Sequence, residues 1–185
     1  MIRHWTVLIL SLATLTACGE QSGHGDPPTS SAAAAQSSFD QIEGEYPARV
    51  PGVPGAQSAP VGACVSLVGP QTNPSLKVVD CGSPENGYRV IQRVSTPDQC
   101  VQDADQRFYT NPEEGQWTAC LDYAWSGKDC LSIGDMTAVR TACDGTAPHR
   151  EMPVRLVVNT TTTADCPDGG FAHPVRRFTV CTQSQ

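Results

Sequence analysis

The stretches "GACVSLVG" (62–69) and "KDCLSIGD" (128–135) share a cysteine, an aliphatic residue, a serine, a second aliphatic residue and a nearby glycine. Each leads to a second strand-like run that ends in cysteine, "LKVVDCG" (76–82) and "AVRTACDG" (138–145). Alternating runs come next, "YRVIQRVS" (88–95) and "MPVRLVVN" (152–159), followed by polar "STPDQC" (95–100) and "TTTADC" (161–166). Each series closes on a cysteine strand, "QWTACLDYAW" (116–125) and "RRFTVCTQ" (176–183). Four stations in the same order read as a tandem duplication, although the cysteine spacings differ: 17, 19 and 20, then 13, 23 and 15. The competing reading is coincidence among short β-like runs.

Apolar residues alternating with polar ones mark half-buried strands. The expected fold class is therefore mainly β, α+β at most. It consists of two tandem antiparallel β subunits, stapled by disulfides, after a disordered tether. One short helix is expected. Thr96 would cap it, Pro97 suits its first position, and Gln99 completes a capping box ahead of "CVQDADQRFY" (100–109). "SGKD" (126–129) reads as the turn between repeats over 61–125 and 126–185. Modules of about 60 residues have thin cores, which accounts for their dependence on cross-links.

The chain has nine cysteines, and eight lie in this folded part. The closest two, Cys120 and Cys130, are ten positions apart, so there is no CxxC for redox chemistry and no zinc knuckle. The duplication implies that each half bridges within itself, and hairpin geometry brings the paired Cα atoms close enough. The expected pairs are Cys64–Cys81, Cys100–Cys120, Cys130–Cys143 and Cys166–Cys181. The rival is Cys120–Cys130 across the "SGKD" turn.

The ninth cysteine lies near the N-terminus. Arg3 and His4 precede the apolar run "WTVLILSLATL" (5–15). A basic start and a short apolar run describe a secretory signal over 1–17. The run is shorter than the 18 or more residues a membrane span needs. "LTAC" (15–18) resembles the bacterial lipobox, which implies diacylglycerol and an acyl chain on Cys18; the alternative is a free or intermolecular thiol. Two or more acyl chains anchor stably where one does not. Residues 18–60, as in "PPTSSAAAAQSS", lack apolar periodicity and are expected to form the disordered tether, without stable contact with the domain.

The order of lipobox, tether, "KVVDCG", "RVIQRVS", "TACLDYAW", "DCLSI" and "PHRE…FTVC" resembles the LppU family of actinobacterial lipoproteins. That resemblance covers nearly all of the mature domain. The half-motif ending in "PH" is also similar to the septum-formation domain of actinobacterial membrane proteins. The second copy keeps Pro148 and His149, whereas the first has "SPENGY" (83–88) there. The first resemblance implies a cell-envelope lipoprotein, palmitate-bearing at its anchor; the second points by analogy of fold towards division or wall assembly.

Catalytic signals are weak. His149 and His173 are the only histidines in the folded part, and no nucleophile elbow, zincin motif or phosphate loop is present. His149, Arg150 and His173 are the candidate binding residues, with turn or surface positions as the alternative. Asp103, Asp105, Glu113 and Glu114 read as a solvated face. Trp117, Tyr123 and Trp125 read either as a sugar- or peptide-binding face or as core. With 14 acidic and 10 basic side chains over 61–185, no footprint for nucleic acid is visible. The sequence thus implies a non-enzymatic binding or adaptor module with no cofactor or metal. It would be lipid-anchored on the outer face of the bacterial cytoplasmic membrane and would meet an envelope protein or wall polymer. The alternatives are an envelope enzyme with an unadvertised site and a purely structural component.

Overall fold

The computed structural model describes Phe39 and residues 41–47, 58–110 and 115–185. Cys18, the signal at 1–17, Glu113, Glu114 and most of the expected tether lie outside the described residues.

Five strands form the first sheet: β1 (Cys64–Val68), β2 (Ser75–Val78), β3 (Tyr88–Val94), β4 (Gln106–Thr110) and β5 (Trp117–Tyr123). Five more form the second: β6 (Cys130–Ile133), β7 (Ala138–Thr141), β8 (Arg150–Val158), β9 (Gly170–His173) and β10 (Phe178–Ser184). Their orders are β2-β1-β3-β5-β4 and β7-β6-β8-β10-β9, antiparallel throughout, so adding five to each label of the first yields the second.

The correspondence reaches individual residues. In the first sheet Leu121 faces Val90 and Cys120 faces Gln92, which leaves Ile91 as a bulge. In the second, Thr182 faces Pro153 and Cys181 faces Arg155, which leaves Val154 as the equivalent bulge. A bulge kept at one place beside the same cysteine is a built feature of the unit. The disulfides repeat as well: Cys64–Cys81, Cys100–Cys120, Cys130–Cys143 and Cys166–Cys181. These are the pairs expected from the duplication, and no bridge joins the halves among the described residues.

Two expectations need correction. The helix ahead of "CVQDADQRFY" is a single 3-10 turn, Pro97–Gln99. The Gln99 side-chain oxygen Oε1 does accept from the backbone N–H groups of Ser95 and Thr96, so the local start signal is genuine. The helix stops because Cys100 is bridged to Cys120 in β5, and because 106–110 pairs with β5 and turns Phe108 into the core. A strand partner pairs one side of the backbone there, whereas a short isolated helix is marginal.

The tether is the second correction. Its described residues pack onto the sheets: Ile42 and Glu45 are buried, Phe39 lies against the second core, and Ala59 is fully buried in the first. Packing thus starts ahead of residue 61. Gly62 donates its N–H to the Val90 carbonyl, and the Val90 N–H donates to Ala63. At the equivalent place in the second sheet Pro153 has no N–H to give.

The two halves share their interior. Ala138 of β7 sits in the first core among Val65, Tyr88 and Leu121. A Cβ built on Gly87 would lie 1.8 Å from the Ala138 carbonyl oxygen, so only glycine allows this approach. The Arg140 N–H donates to Pro84, and its guanidinium donates to Ala124. Tyr123 and Trp125 pack edge-on and tilted against Phe171, with ring centroids 5.4 and 5.0 Å apart. The aromatic residues weighed as a binding face are therefore core: Trp117 packs on Phe108 with the Arg93 guanidinium 3.7 Å over its ring.

Candidate functional site

Polar chemistry collects at the seam where the halves meet. The turn between β9 and β10 is closed by the Arg177 N–H donating to the His173 carbonyl, with Arg177 at φ 63°. This turn drives Arg176 into the seam, where all five guanidinium N–H groups find acceptors. Nε donates to Asp103 Oδ1 at 2.8 Å. Nη1 donates to Asp122 Oδ2 and to the Glu45 carbonyl, and Nη2 to Asp122 Oδ1 and to the Asp103 carbonyl. The second oxygen of Asp103 accepts from the backbone N–H groups of Val175 and Arg176 at 2.8 and 3.0 Å.

His173 completes the group. Its Nε2 lies 3.2 Å from Asp105 Oδ1, and its ring stacks on Phe178 with centroids 4.2 Å apart. Asp105 Oδ2 accepts from the Tyr123 N–H. The imidazole is 1% exposed, and its Nδ1 has no hydrogen-bond partner. Glu45 is 2% exposed, with Oε2 likewise unpartnered.

The electrostatics follow from this crowding of carboxylates away from water. Burial and the neighbouring Asp105 push Asp122 up to about 7 against the pull of Arg176. Burial also raises Asp103, but its hydrogen bonds from Arg176 and Val175 outweigh that, and the net shift is downward. For His173, burial disfavours the imidazolium, yet the bond to Asp105 and the charges of Asp105 and Asp122 prevail and raise it.

Asp105, Asp122 and His173 bring three potential ligand atoms within 4.8 Å of one another, a spacing a metal ion could use. The donor set does not fit one. Both oxygens of Asp122 already accept from Arg176, and a divalent ion would have to sit beside that guanidinium. Acid–base catalysis by the His173–Asp105 pair is also opposed by geometry, because the ring is sealed between Phe178 and the seam. What the arrangement does is join β5 and the 103–105 loop of one half to the β9–β10 turn of the other.

Of the sequence candidates, only His173 belongs to this cluster. His149 is a turn residue at φ 49° whose carbonyl accepts from Ile133. Arg150 pins the preceding turn by donating to the carbonyls of Cys143 and Ala147. The solvated-face reading of Asp103 and Asp105 is overturned, since Arg176 and His173 reach both. Asp122 carried a usable signal: it stands in "ACLDYAW" on a strand that is otherwise apolar or small. Arg176 and Glu45 carried none.

Compared with known proteins, the chain matches no family model, no curated protein and no solved structure.

Proposed function

We propose that this protein is a lipid-anchored cell-envelope module that works by binding, as an adaptor for an envelope protein or wall polymer. The observation that carries the reading is the fate of the acid–base groups at the seam. Asp103, Asp105, Asp122, His173 and Arg176 are bonded to one another and buried, so they lock the two sheets together instead of facing a substrate. Such a body presents a rigid surface to a partner, which lowers the ordering cost of binding. The basic and apolar N-terminal run, Cys18 within "LTAC" and the resemblance to LppU-type lipoproteins support anchoring on the outer face of the cytoplasmic membrane.

The test places a photo-crosslinking residue at exposed Tyr109 or Val154 in the full chain, in native envelopes. Discrete adducts are expected, lost when Cys18→Ala releases the protein from the membrane fraction. Turnover of a substrate abolished by His173→Gln in a protein that still folds would overturn the reading in favour of an enzyme.

A further inference from the structure

We propose that residues 41–47 form a proton-operated latch, docked on the seam while the Glu45 carboxyl is protonated and released when it ionises. This strap is a small built element. The Glu45 N–H closes a turn onto the Ile42 carbonyl, Ile42 enters the second core, and the Glu45 carbonyl accepts from Arg176 Nη1 at 3.0 Å. Gly44, at φ +82°, leaves a Cβ only 3.0 Å from the Arg176 carbonyl oxygen, so the strap lies hard against the β9–β10 turn.

The Glu45 side chain is the weak point of that dock. Its Oε2 is buried without a hydrogen-bond partner, and a buried carboxylate left so is far costlier than a neutral carboxyl. Arg176 has no donor left for it, because its five N–H groups are committed to Asp103, Asp122 and two backbone carbonyls.

Other charged groups face Glu45 from several elements. Arg89 of β3, His173 of β9 and Arg176 all favour its ionised form, as does the hydrogen bond from the Tyr46 hydroxyl. Burial is the larger influence, and the Glu45 carboxyl is held above the ordinary value of 4.5. Asp105 and Asp122 also draw on the charges of His173 and Arg176. The phenols of Tyr88 and Tyr123, beside Asp105, are raised and stay neutral.

The sign follows directly. The docked carboxyl binds its proton more tightly than the released one, so docking is strongest below the ordinary carboxylate value. It then weakens about tenfold per pH unit up to the raised value, and levels off above it. Because the strap precedes residue 58, release lengthens the chain between an N-terminal anchor and the sheets. That consequence rests on the anchored reading, whereas the latch itself does not.

Amide hydrogen exchange of 41–47 in the full chain, from below the ordinary Glu45 value of 4.5 up to about pH 9 and corrected for intrinsic rates, tests the latch. Protection is expected to fall in the wild type as pH rises from the ordinary carboxylate value to the raised one while β3 and β5 stay protected, and to be independent of pH in Glu45→Gln. Wild-type protection that does not change with pH, or a parallel fall in Glu45→Gln, overturns the proposal. Should Glu45→Gln fail to dock at any pH, the carbon-13 shift of the wild-type Glu45 carboxyl decides. A titration midpoint above the ordinary value supports the latch, and one at or below it sinks it.

Discussion

Arg176, in the turn before β10, closes its guanidinium on both carboxylate oxygens of Asp122, which lies in β5 of the other half. Both side chains are 4% exposed. The pair therefore works where the interaction is strong, but where loss of either member strands a charge.

Arg176→Ala should destabilise the folded chain by about 3–5 kcal/mol, the range for breaking a buried pair. Arg176→Lys should recover little of this, since an ammonium cannot make the fork on Asp122 while also reaching Asp103. Replacing both partners, as in Asp122→Leu with Arg176→Met, should be milder than either single change. Denaturant midpoints at constant m-value check all three. A double variant worse than both singles would mean that the pair is not what holds the seam.

His173 supplies a pH signature. Its folded-state pKa is raised, so its contribution is complete below the ordinary histidine value and is lost as pH rises through the raised one. Stability should therefore fall as pH rises from the ordinary histidine value of 6.5 to the raised one, and His173→Gln should flatten that part of the profile. A ring-proton titration of His173 by NMR, with a midpoint at or below the ordinary value, would contradict this.

Gly87→Ala should separate the halves where β7 meets the first core. The added methyl would have to displace the Ala138 backbone, and overpacking of that kind costs about 1–3 kcal/mol or more. Gly82 is the control, because a Cβ there meets nothing within 4 Å. Equal thermal shifts for Gly82→Ala and Gly87→Ala would show that the close approach does not matter.

The legible part of this molecule was the part made by near neighbours. Apolar and polar residues alternate along β1, β5 and β10 in residue order, although the structure buries most of both faces of these strands. Each disulfide closes a loop of 13 to 20 positions, short enough for hairpin geometry and the repeat to select the pairs. The short helix, which ends after the single 3-10 turn Pro97–Gln99, marks the edge of that legibility. Thr96, Pro97 and Gln99 are true local signals, but β5 offered the next residues a partner that local signals cannot report.

By itself, then, the sequence determined the duplicated β units and their four bridges, because those depend on periodicity and short-range closure. Only the tertiary structure decided the seam. Arg176 reaches Asp122 across 54 positions and the Glu45 carbonyl across 131. An aspartate in a polar run looks alike whether water or a guanidinium will face it. Which one does is set by how two already folded sheets pack, and that packing leaves no period in the chain.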